Sequence, residues 1–178
     1  LRGLGVLGDL AVRERLTWAF AVGYGVLGWL LFFVGIGALY QPLPLVVLLA
    51  VGALGLIALR QTPAPVSDDP APPRWGLVDL ALVAALALAL TFDFMEALAP
   101  PADADSLAYH FALAKDFIAA GKLFFIERAM DGAVPLLNQM TYIPALALGG
   151  EKGLTLWTMV SGWGATALLY SIGRRFLD

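Results

Sequence analysis

The sequence has no cysteine and one histidine. Disulfides, thiolate metal sites and a cysteine nucleophile are therefore excluded, and so are histidine-cluster zinc sites. A metal ion would have to be held by oxygen ligands, which favours Mg²⁺, Mn²⁺ or Ca²⁺. Charge is scarce as well, at 14% of residues, and no basic run or stripe occurs in a chain of net charge −3. Nucleic acid is not an expected partner. Apolar residues instead make up 60% of the 178, and mean hydropathy is +0.81. Soluble domains run at about 45–50% apolar and about 25% charged. The balance excludes a soluble enzyme, a disordered tail and a secreted disulfide module. It points to an all-α, polytopic membrane protein whose first partner is the lipid bilayer.

No charge interrupts Leu16 to Leu59, a run long enough for two spans. Pro42 and Pro44 divide it, which places span one at 16–39 and span two at 43–59, with an uninterrupted apolar run from Leu45. Residues 61–75 hold Pro63, Pro65, Pro70, Pro72 and Pro73 with Asp68 and Asp69, the composition of a solvated linker. Span three covers 76–98, with an uncharged centre from Leu80 to Phe92. A long outer loop, 99–152, leads to span four at 153–173 and a short end, 174–178. Two further helices are expected in that loop, lying in the membrane interface: one from Ser106 to Ala120, and one over 136–148. The expected fold is thus about four spans plus two interfacial helices.

Orientation follows from the basic residues. With the N-terminus in the cytoplasm, Arg2, Arg13, Arg15, Arg60, Arg74, Arg174 and Arg175 lie inside in short segments. Lys115, Lys122, Arg128 and Lys152 lie outside in the long loop. Trp18, Tyr40 and Trp75 fall where interfacial aromatics belong. Ala19/Gly23 and Ala21/Gly25 form a small-xxx-small face, with Gly28, Gly35 and Gly37 beyond; such matches arise easily in membrane helices. The chain begins with Leu1 rather than Met and shows no signal peptide. It ends after four spans, and the expectation is the N-terminal part of a longer protein.

The chemistry gathers in the outer loop. Asp103 and Asp105 stand two residues apart, after an outgoing span and before a helix that Gly121 closes. Carboxylates in that place can take a proton from a sugar hydroxyl or hold a cation facing a pyrophosphate. Spacing alone equally reads Asp105 as the helix N-cap and Asp103 as a solvated loop residue. Asp93 and Glu96 share a helix face at the outer end of span three and rank second. Asp79, near Arg74, reads as structural.

The stretch Asp105-Ser-Leu-Ala-Tyr-His110 through Ala114-Lys115, with Gly121, Pro135-Leu136-Leu137 and Gly173-Arg174-Arg175-Phe176, resembles bacterial GT-C membrane glycosyltransferases. Those enzymes use polyprenyl-phosphate-linked sugars and are related to the dolichyl-phosphate-mannose and aminoarabinose transferases. The resemblance covers residues 77–176. It implies that Asp105 is the catalytic base with Asp103 as helper. It also implies that Tyr109, His110 and Lys115 meet the substrate's phosphate or sugar, and that the chain acts at the extracytoplasmic face of a bacterial plasma membrane. Many such enzymes carry an acidic residue near position 139, where this chain has Gln139. A non-catalytic scaffold or transporter subunit is the alternative. Transporters place charges at mid-membrane, and the centres of these spans have none.

Overall fold

The computed structural model describes residue 10 and residues 12–60, 75–127 and 137–176. Among them the fold is all helical, with no strand. The linker over 61–74, Arg2, Arg128, Pro135 and Leu136 lie outside the described residues. Helix α1 is Val12–Ile36, α2 Pro42–Arg60, α3 Leu77–Leu98, α4 Phe111–Ala120, α5 Leu137–Met140 and α6 Tyr142–Phe176. Two helical stretches are long and apolar enough to cross a membrane, Glu14–Ile36 and Leu77–Leu98. The corresponding apolar stretch of α2, Pro42–Gly55, is shorter.

Local chemistry accounts for the breaks. α1 ends at Ile36, the N–H of Leu39 bonds the Val34 carbonyl, and Ala38 takes a positive φ of 56°. Pro42 and Pro44 then sit in the first turn of α2, where a missing N–H costs nothing. At the start of α3 the Asp79 carboxylate accepts the Gly76 N–H at 2.8 Å, which bears out its structural reading. α6 begins earlier than span four was expected to. It contains a kink at Gly150 (φ 65°, ψ −161°), so the uncharged stretch 153–173 is its second limb. The helix expected over 136–148 is divided at Thr141, its second part being the first limb of α6.

α6 is the central element, packed against α1, α2, α3 and α4. At one end of the molecule Arg175 Nη1 lies 3.3 Å from Glu14 Oε1, so the end of α6 meets the start of α1. At the other end the N–H groups of Tyr40 and Leu123 bond the carbonyls of Gly121 and Gly35. The buried core sits at this second end and includes Leu31, Leu45, Leu113, Ile143 and Leu154. Away from it the helices leave apolar side chains exposed: Leu77 is 88% and Leu169 69% accessible. That distribution suits lipid rather than water around the helices.

Two expectations are corrected here. Tyr40 is not an interfacial anchor: it is 2% exposed, and its hydroxyl donates to the Leu31 carbonyl at 2.9 Å. Burial raises its pKa above the usual tyrosine value. Nor does α4 lay its apolar stripes on lipid. Phe111, Leu113, Ala114 and Phe117 are buried in the core, where α5 and α6 pack against α4. A helix apolar on two faces satisfies protein packing as well as it satisfies a membrane surface.

Candidate functional site

A cleft of about 690 Å³ lies between α3, α6 and the segment that follows α3. Its walls run from Leu86 to Ala97 on α3 and from Thr155 to Thr166 on α6. At 1.5 Å per residue this is about 16 Å of groove. Leu86, Ala89, Leu90 and Met159 make the apolar walls. The carboxylates Asp93, Glu96 and Asp103 line the same cleft, with Ser106 beside them. The last two turns of α3 and the segment after Pro100-Pro101 together supply this acidic end. Thr155 Oγ1 donates to the Ala97 carbonyl at 2.6 Å and ties the two walls together. Asp93, half-buried, accepts a hydrogen bond from the Trp163 indole nitrogen. A carboxylate beside apolar walls is costly without such a donor.

Asp103, not Asp105, caps the outer helix. Its Oδ1 accepts the Ser106 N–H at 2.7 Å, and its carbonyl accepts the Leu107 N–H at 3.2 Å. The helical turns therefore begin at Ala104, two residues before the expected start. Bonds from the Ser106 hydroxyl and N–H, with a smaller pull from His110, hold the Asp103 carboxyl below the usual aspartate value. Asp105 stands in the first turn with helical φ/ψ, is exposed, and makes no side-chain capping bond. It is not among the residues that line the cleft, and the groups gathered there are the second-rank Asp93 and Glu96 with Asp103.

From Ser106 to His110 the helix widens into a π-type turn, closed by the Phe111 N–H on the Ser106 carbonyl. One extra residue rotates everything after it by roughly 100° about the axis. His110 then lies against Tyr109, ring centroids 4.1 Å apart, and its Nδ1 meets Gln139 Nε2 at 2.5 Å. The helix ends as the sequence implied, with Gly121 at φ 68° and its N–H bonded to Ile118. Lys115 is drawn elsewhere: its Nζ lies 2.6 Å from Glu151 Oε1, next to the Gly150 kink. Both side chains are about half exposed, so this bridge adds little stability.

Trp163 and Gln139 were not singled out as site residues from the sequence. A tryptophan within an uncharged run reads as lipid-facing. Gln139 carried a signal, because an amide in a long uncharged stretch, 5% exposed once folded, must find a partner. Among the described residues no three His, Asp or Glu side chains converge as metal ligands would. No family model matches the chain, and no curated protein or solved structure matches it either.

Proposed function

We propose that the chain forms the donor-handling part of an integral membrane glycosyltransferase. It would cross the membrane four times, through α1, α2, α3 and the second limb of α6, with the acidic end extracytoplasmic. The observation that carries this reading is the cleft: apolar along part of α3, a helix long enough to cross a membrane, and acidic at one end. A sugar on a polyprenyl phosphate has the matching shape, a long apolar tail and a polar head. The prenyl chain lies along Leu86, Leu90 and Met159, and the sugar hydroxyls lie toward Asp93, Glu96 and Asp103.

Asp105 is the general base. Its carboxylate takes the proton of an acceptor hydroxyl as that oxygen attacks the anomeric carbon. The bond from that carbon to the phosphate oxygen breaks, the lipid phosphate leaves with the electron pair, and the anomeric configuration inverts. Asp103 supports the base by holding the helix start in place. Asp105 suits its role because no capping bond occupies its oxygens.

A polyprenyl-phosphate sugar with a photoreactive group in its tail tests the groove. Cross-links are expected on Leu86, Leu90 and Met159, and unlabelled donor should suppress them. Labelling spread evenly over the outer faces of α1 and α2, with no competition, would overturn the reading.

A further inference from the structure

Two hydrogen bonds cross the cleft from α6 to α3. Thr155 donates to the Ala97 carbonyl, and four residues back along α3 the Trp163 indole N–H donates to Asp93 Oδ2. The roles in the second bond are fixed, because an indole nitrogen only donates and a carboxylate oxygen accepts. Trp163 and Asp93 both line the cleft, and both are half-buried. Gly164 sets the turn that carries Trp163 close on the Phe20 ring of α1, where a Cβ would strike it. Asp93 also stands where the cleft changes character, with Leu86, Ala89 and Leu90 on one side of it along α3 and Glu96 on the other. The other carboxylates of the cleft are placed differently: Asp103 Oδ1 accepts the Ser106 N–H, and Glu96 is exposed. Asp93 Oδ1 has no hydrogen-bond partner among the described residues, and no oxygen there is buried without one, so a molecule in the cleft can reach it.

We propose that Trp163 is a positioning residue: it holds Asp93 by Oδ2 and leaves Oδ1 to accept a hydroxyl of a lipid-linked sugar, so that Asp93 selects a head group with a donor at that depth. This rests on the glycosyltransferase reading. The indole suits the boundary between tail and head, because its body is apolar and its N–H is polar. The prenyl chain passes the ring, and the first sugar hydroxyl beyond it donates to Oδ1. A polyprenyl phosphate without a sugar brings only an anion toward the same carboxylate, and like charges gain nothing from each other.

The test is binding of two probes, polyprenyl-phosphate glucose and polyprenyl phosphate, to the full chain in lipid nanodiscs. Wild type should bind the sugar-bearing lipid more tightly. Trp163→Phe keeps an aromatic ring and loses the N–H, and it should cut that preference about tenfold, the scale of one hydrogen bond to a charged group. Asp93→Leu, close in size, should abolish the preference. Retained binding of polyprenyl phosphate shows that each variant is folded. Indole-¹⁵N labelling reads the contact itself: the Trp163 signal, identified by its loss in Trp163→Phe, should shift in Asp93→Leu. A Trp163 signal that does not move overturns the positioning role, and so does a Trp163→Phe protein that keeps the full preference. An equal loss for both lipids in Trp163→Phe makes the indole a tie between helices and also overturns it. Equal binding of the two lipids by wild type overturns sugar selection at Asp93 and leaves the groove as a lipid-phosphate site. A wild type that binds neither lipid overturns the glycosyltransferase reading, and this proposal with it.

Discussion

Asp103 and Asp105 are neighbours with different surroundings, and the difference sets what each can do. The Ser106 bonds depress the Asp103 pKa, so the ionised cap is favoured in the folded chain. A depressed carboxylate contributes fully above its unfolded value, here the ordinary 3.8, and loses that contribution as the pH falls through the lower folded value. Protection of the Ser106 amide from hydrogen exchange should therefore hold down to about that pH and fall below it. In Asp103→Ser, whose hydroxyl caps without titrating, the acid loss should vanish. The same acid loss in Asp103→Ser would assign it to another group. From the sequence Asp105 reads as the cap and Asp103 as a solvated loop residue. The cap is Asp103 instead, because the chain first turns helical at Ala104, soon after Pro100-Pro101.

At the scale of the elements, close approach is set at Gly28, Gly35 and Gly164 and not at the Gly23 and Gly25 of the small-xxx-small pairs. A Cβ at Gly23 or Gly25 would meet nothing within 4 Å, so that face is not a helix contact. A Cβ at Gly164 would strike the Phe20 ring, and one at Gly35 would strike the Tyr40 ring. Gly164→Ala should destabilise the pairing of α1 with α6 by about 1–3 kcal/mol, the usual cost of overpacking. Adding Phe20→Leu should recover part of the loss, read as the midpoint of denaturant unfolding in detergent. Equal losses with and without the second change would contradict this contact. The helices themselves were legible, because uncharged runs, prolines and Gly121 mark them within a few residues. The wide turn at Ser106–His110 and the Gly150 kink were not. The wide turn lies where His110 meets Gln139 of α5, and the kink lies beside the Glu151 that pairs with Lys115 of α4.

Over the whole molecule, burial and apolar exposure are separated. The packed core and the polar groups of the cleft share one end, while the lengths of α1, α2 and α3 leave apolar side chains uncovered. On the proposed reading, lipid covers those lengths and the acidic end lies at a membrane surface. There a lipid-linked head group would meet Asp93, Glu96 and Asp103, with Asp105 two residues along the chain from Asp103. Composition made the apolar, all-helical class legible. Two partners could not be read: the pairing of Lys115 with Glu151 and the contribution of Trp163. Both depend on how α6 folds back across α3 and α4. The measurement that tests the central claim most directly is sugar transfer from a radiolabelled polyprenyl-phosphate sugar. It uses membranes in which the complete gene is expressed, wild type against Asp105→Asn at matched protein level. Asparagine keeps the shape of the side chain but cannot take the proton. The account predicts that transfer by wild type falls at least on the order of a hundredfold in the variant, the scale of lost general base catalysis. Undiminished transfer by Asp105→Asn would contradict it.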